Sequence, residues 1–365
     1  MHTRLRLRAL TAVRLTSVLV ISGCAGGSTD EPGGIDISSG TYHINLVAYA
    51  VPKVGFDGII PAFRQTDAGW DVGFSQSYGA SGDQSRKVAR HVPVDVVNFS
   101  VEPDITRLVK AGLVNEDWKS AAPFNSTPFG SVVALVVRAG NPKNIHTWTD
   151  LLQPGVEVIT PNPASSGSAK WNLLAPYAAA SNGGQDPQAG LDYVSELVRN
   201  HIKVNPKSGR EATTTFQTGQ GDVLISYENE AIFLTKQNAT STASQQVEYL
   251  IPPVTFEIEN PMAVVNTSEN LTQANQFLQY QFTTEAQHIW AEAGFRPVVP
   301  EVIAETASLF PGHTDKIWTI KELGAVLGKG IDNGKDKTGW SAVDQVLFGS
   351  QGAITAIYDK GGSGQ

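Results

Sequence analysis

The chain has one cysteine in 365 residues, so no disulfide forms within it, and only seven histidines, at positions 2, 43, 91, 146, 201, 288 and 313. Their spacing contains no HxxxH pair and no Cys/His cluster, which removes the common zinc arrangements. No Gly-x-Ser-x-Gly elbow follows a strand-like run, so a serine hydrolase is not indicated either. Glu228 and Glu230 stand close together, but two residues apart on a helix they point in different directions, which predicts a solvated face and no acid–base dyad. Without a nucleophile paired to a base, or a metal cluster, the chain is expected to be no enzyme and to carry no cofactor or metal. Long apolar runs are scarce as well. The run Leu15-Thr16-Ser17-Val18-Leu19-Val20-Ile21 is too short to span a bilayer as a mature helix, which takes about 20 residues.

What the N-terminus does contain is ordered. Arg4, Arg6, Arg8 and Arg14 precede that run with no acidic residue among them, and small residues Ser22-Gly23 follow it. This is the order of a secretory signal over residues 1–23. Ile21-Ser22-Gly23-Cys24 resembles the bacterial lipobox, in which cleavage leaves a cysteine that receives a lipid. A lone thiol in an exported chain otherwise lacks a role, so Cys24 is expected to anchor the protein to a membrane surface. Residues 24–41, with almost no large apolar side chains, read as the lipidated tether, and residues 359–365 as a flexible tail. Removing residues 1–23 takes away four of 27 basic residues and none of 35 acidic ones, so the mature charge is 23 − 35 = −12. Such a surface disfavours nucleic acid as a partner. An anion in a buried site is still allowed, because exposed charges are screened beyond about 8 Å at physiological salt.

The remaining length exceeds what one core usually holds, and predicts two lobes. Short β-branched runs, at 43–49, 94–99, 132–137, 156–160 and 222–227, are bounded by Gly, Pro and Asn. They alternate with helical patterns at 84–91, 169–180 and 189–200. The stretch Leu271 to Ala293 places Leu271, Ala274, Phe277, Leu278, Phe282 and Ile289 along one helical face. Strand–helix alternation predicts an α/β fold with mostly parallel sheets.

Three times a Ser/Gly loop opens a helical pattern: Gly79-Ala80-Ser81-Gly82-Asp83-Gln84, Ser165-Ser166-Gly167-Ser168-Ala169 and Lys207-Ser208-Gly209-Arg210-Glu211. Ser81 with Gln84, and Ser208 with Glu211, have the capping-box spacing. Each loop alone is a plain helix start. Together, if they converge, their backbone N–H groups and hydroxyls would form an oxyanion cage.

From Leu46 to Tyr358 the chain resembles the sulfate-binding proteins of bacterial ABC import systems. The stretches that carry the resemblance are 77–82, Asp95-Val96-Val97 with Asp104, the run from Val137 to Asp150, 163–172 and 221–231. Thr284-Glu285-Ala286-Gln287 followed by Arg296-Pro297-Val298 completes them. The resemblance implies a two-lobed periplasmic-binding-protein-like fold of type II with the ligand in the interlobe cleft. Lobe one would take residues 42–130 plus 255–358, and lobe two 131–254. It implies a monomer that captures sulfate, with thiosulfate as a secondary ligand, and delivers it to ABC permease subunits from the outer face of the cytoplasmic membrane. Carried over by position, Ser81 donates from the first loop. The Ser166 hydroxyl and the N–H groups of Gly167 and Ser168 donate from the second, the N–H of Gly209 from the third, and Tyr227 closes the cage. Lys170 and Arg210 support these loops without touching the anion. Because sulfate carries no proton, a site made only of donors satisfies it, whereas the proton of monohydrogen phosphate would face another donor. That mismatch costs roughly 1–3 kcal/mol. Molybdate shares sulfate's donor-only requirement, so the alternative ligands are other tetrahedral oxyanions. Three positions depart from the family pattern: Tyr227 stands for the usual Trp, Ser168 for a Gly, and Ala50-Val51-Pro52 follows Tyr49 where Asp is usual.

Overall fold

The computed structural model describes residues 37–238, 246–312 and 314–361. The signal segment, Cys24 and most of the tether lie outside the described residues, as do 362–365. Within them, twelve strands form two sheets, one at the heart of each lobe.

The first sheet has the order β10–β3–β1–β2, with β1 (Tyr42–Tyr49), β2 (Val72–Gly79) and β3 (Val96–Asn98) parallel and β10 (Met262–Val264) antiparallel at the edge. β1 runs beside β2 over its whole length, from Tyr42 opposite Val72 to Tyr49 opposite Gly79. Its second half is buried on both faces, as a central parallel strand between helices must be. The aromatic side chains Phe56, Phe63, Phe74, Phe277 and Trp290 pack edge to face beneath it at centroid separations of 4.9–6.1 Å.

The second sheet follows the path β12–β9–β4–β7–β5–β6, and β8 and β11 also pair with β4. Its strands are β4 (Phe129–Arg138), β5 (Val158–Ile159), β6 (Ile202–Val204), β7 (Val223–Tyr227), β8 (Val247–Leu250), β9 (Val254–Glu259), β11 (Arg296–Pro297) and β12 (Lys316–Trp318). β5 is parallel to β6 and β7, and β12 to β9, but β4 is antiparallel to β7, β8, β9 and β11. The sheet is therefore mixed, not mostly parallel. β4 is apolar on both faces, so its sequence announces burial but not direction.

Two other expectations are corrected. The stretch Leu271 to Ala293 is two helices, Leu271–Tyr280 and Thr284–Glu292, because Thr283 starts a new one by accepting a hydrogen bond from the Ala286 N–H on its hydroxyl, at 3.2 Å. The C-terminal part, assigned to lobe one from sequence, joins lobe two from β12 onward. β12 extends the second sheet, Trp318 lies over Gly183 where a Cβ would come within 2.3 Å of its ring, and Trp340 meets Trp171 edge to face at 4.8 Å. Nothing in that segment's local pattern marks which sheet its short strand extends.

Candidate functional site

The three Ser/Gly loops lie at the carboxyl ends of β2, β5 and β6, where each strand hands the chain to a helix. Open α/β sheets bind ligands at such ends.

In the first loop Ala80 occupies the cap position of helix Ser81–Val88 and offers no side-chain bond, so the capping box expected from Ser81 and Gln84 does not form. Ser81 sits inside the first turn. Its hydroxyl donates to Asp104 Oδ2 at 2.6 Å and accepts from the Ser100 N–H at 3.0 Å, and Arg107 Nη1 holds the other Asp104 oxygen at 2.7 Å. The hydroxyl is thus committed, which leaves the Ser81 backbone N–H as the donor this residue has to offer.

In the second loop Ser166 caps helix Gly167–Ala180 by position, with an extended backbone, yet its side chain caps nothing. The residue is buried at 2 % exposure and the helix start it leads into, Gly167 and Ser168, is buried with it. A buried helix N-terminus whose first N–H groups have no cap fits an anion, with the macrodipole contributing about half a positive charge.

The third loop is capped as expected. The Ser208 hydroxyl accepts from the Glu211 N–H at 3.2 Å, although Glu211 reaches back to the Lys207 N–H, at 3.0 Å, one residue earlier than the motif requires. Gly209 then opens helix Gly209–Gln217 and is buried.

The loops converge across the lobes. The Gly82 N–H of lobe one donates to the Ser165 carbonyl of lobe two at 2.9 Å. A Cβ on Gly167 would fall 2.8 Å from Ser100, and one on Gly209 would fall 3.1 Å from Ser168 Oγ and 3.3 Å from Val51. Tyr227, at the end of β7, bonds through its hydroxyl to Ser100 Oγ at 2.7 Å. Burial raises its pKa above the usual phenol value, against the opposing effect of hydrogen bonds with Ser100, Ser168 and Asn260, so it stays protonated. Ser100, Trp171 and Asn260 were not singled out from sequence. The Ser100 carbonyl accepts from Trp171 Nε1 at 2.8 Å and Asn260 Nδ2 at 3.1 Å, which ties the two lobes at this point. Ser100 follows the strand-like run at 94–99, and its place at a strand's carboxyl end is the one signal that could have found it.

Among the described residues no basic side chain bonds to Ser81, Ser166, Gly167, Ser168 or Gly209, although Arg86 pairs with Asp83 of the first loop at 2.5 Å and reaches the Ala164 carbonyl at 3.3 Å. Lys170 pairs with Asp344 at 2.8 Å and Arg210 with Glu230 at 2.9 Å. Thr213 Oγ1 donates to the other Glu230 oxygen at 2.8 Å. Burial raises the Glu230 pKa and Arg210 opposes it. Glu228 is fully buried and receives Arg296 through Nε and Nη2, at 2.6 and 3.1 Å. The solvated face expected for these two carboxylates is therefore replaced by two buried ion pairs, each with its arginine from elsewhere in the chain. A depression of about 750 Å³, lined among others by Arg107, Lys170, Trp340 and Asp344, lies beside the loops and holds charges of both signs. Among the described residues no group of His, Cys, Asp and Glu is placed to hold a metal ion, and no helix is long and apolar enough to cross a membrane.

Comparison with known proteins places this geometry in context. Residues 44–296 match the family model of bacterial extracellular solute-binding proteins. A sulfate-binding protein of Synechococcus elongatus is 36% identical over 351 residues, 93% of each chain. A thiosulfate-binding protein of Pseudomonas aeruginosa is 35% identical over 274 residues, covering 73% of this chain and 81% of that one. Among solved structures, the sulfate-binding protein SubI from Mycobacterium tuberculosis superposes with a TM-score of 0.75 at 56% identity, over 84% of this chain and all of that one. A ferric-binding protein from Campylobacter jejuni, 13% identical with a TM-score of 0.60, shares the fold alone over 87% of this chain and 99% of its own. The two-lobed periplasmic-binding-protein architecture of type II is thereby established.

Proposed function

This chain belongs to the bacterial extracellular solute-binding proteins, and from that premise we propose that it captures sulfate between its lobes and hands it to the membrane permease of an ABC import system. The observation that carries this reading is the set of helix starts just described. Three of them meet across the lobes, and the buried Ser166 side chain makes no capping bond to its own helix.

The proposed donors are the backbone N–H groups of Ser81, Gly167, Ser168 and Gly209, the Ser166 hydroxyl and the Tyr227 hydroxyl. All are neutral. A fully deprotonated tetrahedral dianion accepts from every one, and three helix termini offset its charge without a salt bridge. Lys170 and Arg210 act at one remove, since each is already paired with a carboxylate. Ser168 lies against the third helix start as well, since a Cβ on Gly209 would fall 3.1 Å from its Oγ. Thiosulfate is a secondary ligand on the same argument, with one sulfur in place of an oxygen, and molybdate and phosphate are the competitors. Before capture the lobes swing apart about their crossovers, as hinge-closing receptors do. The protein works as a monomer held to the outer face of the cytoplasmic membrane by a lipid on Cys24, and makes no use of a cofactor.

The test is calorimetric titration of the chain from residue 25 onward with sulfate, thiosulfate, molybdate and phosphate, the last at two pH values. Sulfate should bind tightest, and phosphate should bind better as it loses its proton. Ser166→Ala should weaken sulfate by roughly 10- to 100-fold, the worth of one hydrogen bond to a charged group, and Gly209→Pro should weaken it too, with ligand-free melting unchanged for Ser166→Ala. Unchanged affinity in both variants would refute the loop assignment. Phosphate binding equal to sulfate at the lower pH would refute a donor-only site.

A further inference from the structure

Tyr49 is the last residue of β1, opposite Gly79, from which the first Ser/Gly loop departs. The side chain is 2 % exposed, and its hydroxyl is buried with no hydrogen-bond partner. Buried hydroxyls almost always have one, because nothing else compensates the water they lose.

The groups around it are already taken. The Tyr227 ring lies 6.5 Å away, but the Tyr227 hydroxyl is engaged by Ser100. Glu230 is close enough to influence the phenol; Thr213 donates to its Oε2 and Arg210 forms an ion pair with its Oε1 at 2.9 Å, and Tyr49 bonds to neither oxygen. Immediately after Tyr49 the chain turns toward the third helix start. Arg210 Nη2 reaches the Val51 carbonyl at 3.5 Å, and a Cβ on Gly209 would lie 3.3 Å from Val51 Cγ2. The end of β1 therefore borders the same space as the loops at Ser81 and Gly209. The phenol stays protonated, because burial first, then Tyr227 and Glu230, raise its pKa. It holds a proton to give and makes no hydrogen bond within the protein.

We propose that the Tyr49 hydroxyl donates a hydrogen bond to the bound oxyanion, which adds a side chain at the end of β1 to the three loops and Tyr227. This rests on the reading that the interlobe space binds a deprotonated tetrahedral anion. It also gives the site two phenols, Tyr49 from lobe one and Tyr227 from lobe two, so that the ligand bridges the lobes through side chains as well as through helix starts.

The experiment is Tyr49→Phe, which removes one oxygen and no ring. Sulfate affinity, measured by calorimetry, should fall roughly 10- to 100-fold, while ligand-free melting stays the same or rises, since no bond within the protein is lost. The shift in melting produced by a fixed sulfate concentration should shrink in parallel. If the hydroxyl instead serves the fold, ligand-free melting falls and affinity is unchanged, and the proposal is overturned. Unchanged affinity with unchanged melting overturns it equally. A wild-type chain that binds none of sulfate, thiosulfate and molybdate overturns the reading of the site, and this proposal with it.

Discussion

Gly82 offers a way to separate closure of the lobes from their stability. It lies in the first turn of helix Ser81–Val88 with its N–H on the Ser165 carbonyl of the opposite lobe. A Cβ there would stand 2.9 Å from that carbonyl oxygen and 3.3 Å from Arg86 Nη1. The arginine can move aside, but a backbone oxygen at the start of a buried helix cannot do so without parting the lobes. Overpacking of this kind costs about 1–3 kcal/mol. In Gly82→Ala that cost falls only on the state in which the lobes touch, so sulfate affinity should drop by roughly 5- to 150-fold. The separated state carries no clash, and Ala in place of Gly in a helix stabilises by about 0.4–1 kcal/mol. Ligand-free melting should therefore hold or rise while the dissociation constant increases. Calorimetry with sulfate and differential scanning of the ligand-free protein measure the two quantities. A variant with wild-type affinity would refute the claim that this contact forms when ligand is held.

The buried carboxylates supply two more expectations. Arg296→Met leaves the fully buried Glu228 without its partner, and the unpaired charge should destabilise the protein by about 3–5 kcal/mol, seen as a lower melting temperature that Glu228→Gln in the same chain largely restores. The Glu230 carboxyl titrates above its usual value in the folded state, mainly through burial. Its contribution to stability is complete below the unfolded pKa and is lost as pH rises through the folded one. Melting temperature measured upward from about pH 4 should decline more steeply in the wild type than in Glu230→Gln, and coincident slopes would contradict this.

Much of the site was legible because its parts are local. Ser208 and Glu211 announce a cap, and a cap forms; Ser166 and Gly167 announce a helix start, and helix Gly167–Ala180 begins there. What could not be read depends on partners far away in the chain. Ser81 has the spacing of a capping residue, but Asp104, 23 residues on, accepts its hydroxyl's hydrogen bond, and Ala80 occupies the cap position. Glu228 and Glu230 read as solvated because the arginines that neutralise them come from other segments, Arg296 from 68 residues away. Likewise β12 has only three residues, so its allegiance to the second sheet comes from its pairing with β9 and from Trp318 over Gly183, not from its own pattern.

Counting the passages between lobes has a consequence for how the molecule is held. The chain starts in the first sheet with β1, enters the second with β4, returns with β10, and crosses again before β11. Three passages is an odd number, so β1 and the final helix, Ala353–Gly361, ride on different lobes. On the proposed anchor at Cys24, the tether would enter the first lobe at β1, restraining that lobe and leaving the other free to move in the proposed closure. A label on the final helix and one near Tyr42 would then report the angle between the lobes directly, and a cargo fused after the final helix would travel with the moving half.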